Sequence, residues 1–123
     1  MLSSKAPPRL VKFSDLAFQP RQERPEMAQL AQISGDSDGS ELGTGFARLS
    51  DARITWTVKY DEVITVIEGS LRVHTPTGIL EAGPQDSIWL PQGTPLVYEA
   101  QSALIFYAIH PSHWASEPEQ ENA

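Results

Sequence analysis

The chain has 123 residues and no cysteine, with a formal charge of −7 from 9 basic and 16 acidic side chains. That length makes one domain, able to bury roughly two-thirds of its unfolded surface, while the missing thiols exclude disulfides and thiolate metal sites. The acidic balance argues against a nucleic-acid surface, which needs a basic stripe, and no run nears the ~20 apolar residues of a membrane helix.

Residues 1–9, with Pro7 and Pro8, read as a flexible arm. MLSSKAPPRL lacks the apolar segment of a signal peptide, so the expected compartment is the cytoplasm. Residues 10–42 read as an N-terminal extension with one or two strands. In it, LVKFSDLAF suggests a short strand and a turn, QPRQERPE a connection punctuated by proline, and MAQLAQI a strand. SGDSDGSELG is a loop by composition. Between residues 43 and 114 short runs rich in Val, Ile, Thr and aromatics recur about every 8 to 12 residues, the pattern of an all-β barrel or sandwich. They are GFARLS, ARITWTVK, EVITVIEG, LRVHTP, GILEAG, DSIWLP, PLVYEA and ALIFYAIHP. No segment sustains a helical period. Residues 115–123, rich in glutamate, read as an acidic disordered tail.

Side chains alternate along a strand. In EVITVIE this puts Glu62, Ile64 and Val66 on one face and Val63, Thr65 and Ile67 on the other. Both faces are largely apolar, which predicts a central strand covered on both sides. A carboxylate leading the Ile64/Val66 face is the anomaly, because burying it ionised without a partner is expensive.

Two further patterns carry a family resemblance. Glu62 and Gly69 keep the glutamate-to-glycine interval of the first motif of the cupins, and Asp86, Pro91 and Gly93 match the second, with Gln85 where that motif has glycine. Such turns use glycine for positive φ and proline for a fixed φ. From Gly43 to Trp114 the chain thus resembles the cupins, which implies a double-stranded β-helix, or jelly-roll, barrel. In cupins three histidines and the glutamate hold a divalent metal. Here the histidine positions fall on Trp56 and Val58 (Thr55 and Thr57 with the longer spacer) and on Leu96. One ligand of four cannot grip a transition metal, so no metal cofactor is expected. The match is closer to the ethanolamine-utilisation cupins of the EutQ type, through Trp56-Thr57, through Tyr60-Asp61-Glu62, and through the Tyr107, Pro111, Trp114 ending. That resemblance implies a place beside ethanolamine breakdown, and an acetate kinase activity attributed to the type.

The candidate catalytic residues are Glu62 and Tyr60, with Trp56, Val58, Leu96 and Tyr107 as candidate ligand contacts in the barrel. A carboxyl buried among such groups becomes a usable acid or base; the bland alternative is a carboxylate tied to Tyr60 or to a backbone donor. Trp56 and Tyr60 could equally fill the space of a lost metal site, and Trp89 suits the core or a dimer surface. His74 faces away from Leu71 and Val73. His110 and His113 could join Glu62 at a metal only if the chain end folds over the barrel mouth. No Gly-x-Ser-x-Gly or phosphate-binding loop is present. The cations nearest the expected mouth are Arg48, Arg53, Lys59 and Arg72, and phosphoryl transfer would need such a clamp. Three readings compete: an enzyme acting on a small acyl or phosphorylated metabolite, a ligand-binding or accessory module without chemistry, and a residual metalloprotein. The outward apolar positions Val63 and Ile67 add the expectation of a homodimer.

Overall fold

In the computed structural model residues 5–20 and 27–114 are described. Eight strands form one continuous hydrogen-bonded system: β1 (Gln19–Pro20), β2 (Ala28–Ser34), β3 (Gly43–Thr57), β4 (Asp61–Gly69), β5 (Leu71–Thr75), β6 (Gly78–Ala82), β7 (Ser87–Leu90) and β8 (Pro95–His110). They run in the order β1-β2-β3-β8-β4-β7, and β5 pairs with both β8 and β6. All pairings are antiparallel. No helix among the described residues is long and apolar enough to cross a membrane.

Two long strands replace four of the expected short ones. GFARLS and ARITWTVK are the two halves of β3, and PLVYEA and ALIFYAIHP the two halves of β8. In β3 the inward positions are Ala47 and Leu49 and then, after a change of phase, Ala52 and Ile54. Asp51 sits at the change with φ 43°. In β8 the phase changes at Gln101 and Ser102, from Leu96, Tyr98 and Ala100 to Ala103 and Ile105. The ladder runs on through both bends, with Ser50 opposite Ser102 and Ala52 opposite Ala100. The two strands fold together, so the first half of β8 pairs with β5 and the second half with β4. Between these layers lies the core, in which Ile64, Leu71, Leu90, Val58, Val66 and Val73 are the largest fully buried side chains.

The turn residues of the two motifs behave as their chemistry requires. Gly69 and Gly93 have φ 81° and 94°. Gln85 stands in the glycine position and adopts φ 75°, where its N–H donates to the Val66 carbonyl at 2.7 Å. Gly69 admits no side chain, because a Cβ would run into the Ser102 carbonyl.

Three expectations need correction. LVKFSDLAF makes a 3-10 turn, Phe13–Asp15, and the short strand lies beyond it at Gln19–Pro20. β4 is central in its sheet, yet its outward face is not fully covered by the described residues: Val63 and Ile67 are 41% and 42% exposed. Of the two places expected for Trp89, core and dimer surface, the core is removed: the ring, directly opposite Val63, is 59% exposed. At the N-terminus, the Ala6 N–H donates to the Asp38 carbonyl at 3.0 Å, and Arg9 reaches both Asp38 (3.1 Å) and the Ile33 carbonyl. Residues 1–4, 21–26 and the expected acidic tail at 115–123 lie outside the described residues.

Candidate functional site

Alternation carries Glu62 inward on β4, where it is 6% exposed beside Ile64 and Val66. The Tyr98 hydroxyl donates to Glu62 Oε1 at 2.8 Å. Tyr98 was not foreseen as the partner of this carboxylate; its inward phase in PLVYEA, shared with Leu96, was the available signal. The bond joins the half of β8 that pairs with β5 to strand β4, and so crosses between the layers.

Glu62 and Tyr98 form part of the wall of a cavity of about 640 Å³. Tyr60 and Tyr107 also line it, so all three tyrosines of the chain meet there. Ile54, Ile64, Ile105 and Ile109 supply apolar wall. The N-terminal extension adds Ala17, Gln19, Pro20, Leu30 and Gln32, and the far end of the chain adds Trp114. The Trp114 ring packs edge-on against Trp56 (centroids 5.6 Å apart) and tilted against Tyr60 (5.2 Å). Its segment is held by the Ser112 N–H, which donates to the Glu41 carbonyl at 2.8 Å. The size and the mix of apolar wall with a few polar groups suit a small-molecule site.

Of the six residues singled out from the sequence, Tyr60, Glu62 and Tyr107 come together on this wall, while Trp56, Val58 and Leu96 are not among the lining residues. Val58 and Leu96 are buried in the apolar core, and Trp56 packs against its edge. Apolar or aromatic side chains thus stand at the positions that the resemblance assigns to histidine. The residues present therefore do not fit a cupin metal centre. No group of three or more His, Cys, Asp or Glu side chains that could hold a metal occurs among the described residues. His110 lies opposite Asp61 on the ladder, one residue out of phase with Glu62, and its ring reaches Glu41 at 3.3 Å on the exposed side. The alternative in which His110 joins Glu62 at a metal is therefore not met.

Nor do the four cations line the cavity. Arg48 lies over the rings of Phe13 and Phe18, at 5.7 and 4.9 Å from their centroids. Arg53 pairs with Glu99 at 3.7 Å and Arg72 with Glu81. Lys59 lies 6.0 Å from the Trp56 ring centroid. Glu99 also bonds His74 at 2.6 Å, and that contact leads the effects holding its carboxyl below the ordinary glutamate range. Within the cavity, burial pushes the Tyr107 phenol above the ordinary tyrosine value, and the charge on Glu62 adds to the rise.

The family model described as ethanolamine utilisation protein EutQ matches residues 21–116 of this chain. The chain belongs to the EutQ family. It is 33% identical over 85 residues to the acetate kinase EutQ of Escherichia coli, covering 68% of this chain and 36% of that protein. With the protein of the same name from Salmonella typhimurium it shares 29% over 93 residues, covering 75% and 41%. The chain thus spans less than half the length of these two EutQ relatives. The crystal structure of an ethanolamine utilization protein Q from Salmonella typhimurium superimposes with a TM-score of 0.78 at 26% identity, covering 84% of this chain and 85% of that one. The polyketide cyclase RemF of Streptomyces resistomycificus gives 0.72 at 16% identity, covering 89% and 94%. At that identity the likeness shows the fold alone, and with an RmlC-like cupin from Shewanella frigidimarina, at 0.71 and 11% identity, covering 96% and 97%, it gives the chain the all-β cupin fold.

Proposed function

We propose that this EutQ-family domain binds a small polar metabolite in the barrel cavity, with Glu62 as the group that orients it. One observation carries the reading: a carboxylate only 6% exposed faces a cavity of about 640 Å³, anchored by a tyrosine from the opposite layer. Carboxylates are rarely buried unless a bonded network or a function holds them there. Holding Glu62 by the Tyr98 bond gives it one orientation before a ligand arrives, which reduces the cost of binding. The direct test is thermal unfolding with a panel of small amides, alcohols, amines and acids, since a ligand of the native state raises Tm by mass action. A rise that disappears in Glu62→Gln supports the reading. If no member of the panel shifts Tm, the cavity is not a metabolite site.

Chemistry on acyl or phosphoryl compounds is the second reading, and what favours it is the name acetate kinase carried by the two EutQ relatives. Against it stands the placement of Arg48, Arg53, Lys59 and Arg72 away from the cavity wall, because phosphoryl transfer relies on positioned cations. Release of ATP from acetyl phosphate and ADP by the purified domain, lost in Glu62→Gln, is the result this reading requires.

The partner we assign is a second copy of the chain. Support comes from the outward face of β4 and β7, where Val63, Ile67 and Trp89 form an exposed apolar stripe, the kind of patch that marks an interaction surface. A sedimentation coefficient of a monomer at micromolar concentration rules this out.

A further inference from the structure

We propose that Tyr107 is the hydrogen-bond donor of the cavity and that, together with Glu62 as acceptor, it selects an uncharged ligand carrying both an oxygen acceptor and a donor, an amide or an alcohol, over the isosteric carboxylate. This rests on the reading of the cavity as a metabolite site.

Three observations carry the inference. The first is placement. Tyr107 is opposite Ile64 on the ladder and Glu62 is opposite Ile109, so Glu62 and Tyr107 are diagonal neighbours on one inward face, within reach of one small molecule. The second is the seat of the phenol. Tyr107 is also the cross-strand partner of Gly45. A Cβ at Gly45 would lie 2.6 Å from Tyr107 Oη and 2.9 Å from Cζ. The ring therefore occupies the space that any side chain at position 45 would fill, and Gly45 acts as its positioning residue. The third is that this hydroxyl, on the cavity wall, has no hydrogen-bond partner among the described residues. Tyr107 is half-buried, so its hydroxyl is open to a molecule that enters the cavity.

Burial and the charge of Glu62 both keep the phenol protonated, so at neutral pH it donates. The same negative field opposes an anionic ligand oxygen, whereas a carbonyl or hydroxyl oxygen is accepted without that cost. The ligand's own N–H or O–H then meets Glu62. A carboxyl group has acceptor positions beyond one hydrogen bond, so Glu62 can meet a ligand donor alongside its partners in the fold. Acetamide and acetate have one shape and differ in these features alone.

The experiment labels tyrosine Cζ with carbon-13 and follows three resonances, assigned by Tyr→Phe variants, during titration with acetamide and with sodium acetate at pH 7.5. The expected result is that acetamide moves the Tyr107 resonance, binds more tightly than acetate, and loses affinity about tenfold in Tyr107→Phe. If acetate binds as tightly as acetamide, or if the probes move Tyr60 and Tyr98 but leave Tyr107 in place, the donor assignment is wrong and the metabolite site stands. If neither probe moves any tyrosine, the metabolite site falls and the donor with it. Should Tyr107→Phe fold poorly, the wild-type resonance and the acetamide-to-acetate ratio still decide.

Discussion

The Tyr98 hydroxyl and the Glu62 carboxylate meet at 2.8 Å across the interior of the barrel, 36 residues apart in sequence. Neither side chain could sit there alone at low cost. An inward glutamate needs donors, and a buried phenol needs an acceptor. The pair also couples the two layers that the bent strands β3 and β8 share.

Removing the hydroxyl leaves the carboxylate short of a bond that burial prevents water from fully replacing. Tyr98→Phe is expected to cost about 1–3 kcal/mol, read as a fall of several degrees in Tm. A double-mutant cycle with Glu62→Leu isolates the pair, and a coupling energy near zero would mean that the two side chains stabilise the fold independently.

The turn at Gln85 gives a prediction of opposite sign. A side chain at φ 75° pays a steric cost that glycine does not, while glycine adds entropy to the unfolded chain. Gln85→Gly is expected to be neutral to stabilising by up to about 1 kcal/mol. Gly69→Ala, with φ 81° and the Ser102 carbonyl in the way, is expected to lose about 2 kcal/mol or more. Urea midpoints of the two variants settle both signs.

These turns also show what could be read from the sequence. Gln85 was legible as a glycine position because the flanking Asp86, Pro91 and Gly93 keep the motif's interval. Period-two alternation likewise placed Glu62 inward, since a strand offers only two faces. What alternation cannot show is how far a strand runs. β3 and β8 read as two runs each because a bend reverses the phase at Asp51 and at Gln101–Ser102 while the ladder continues. The cavity was legible only in part. Motif spacing transfers a position, so Val58 and Leu96 inherit the histidine places, yet their apolar side chains are packed into the core. Tyr98 and Trp114 reach the wall through pairings 36 and 58 residues apart with Glu62 and Trp56, and Gln19 reaches it from a two-residue strand. No local pattern encodes such distances.

The phenol of Tyr107 links stability to pH on the alkaline side. Burial, then the Glu62 charge, raises its folded-state value above that of the unfolded chain. Protonated tyrosine is the form the fold prefers, so this contribution is complete below the unfolded value and declines as pH rises through the folded one. The wild-type protein should lose Tm on going from neutral pH to pH 11, and Tyr107→Phe should lose less over the same range. Equal losses in the two proteins would mean that the phenol ionises as freely in the fold as in the unfolded chain.

At the far end of the chain the cavity depends on one ring. Trp114 meets Trp56 and Tyr60 at 5.6 and 5.2 Å and forms part of the wall. Each aromatic contact contributes about 0.5–1.5 kcal/mol beyond area burial. Trp114→Ala should therefore destabilise by roughly 1–3 kcal/mol and weaken binding of any cavity probe, because it removes wall as well as packing. Trp89→Ala is the control. That ring is 59% exposed on the outer face, so its loss should change the stability of the single chain by no more than about 0.5 kcal/mol and leave probe affinity as it was. Trp89→Ala also removes the largest side chain of the outward stripe, so it should shift the protein toward monomer in sedimentation while Trp114→Ala does not. If both variants lose probe affinity alike, the ring at Trp114 is not acting through the wall of the cavity.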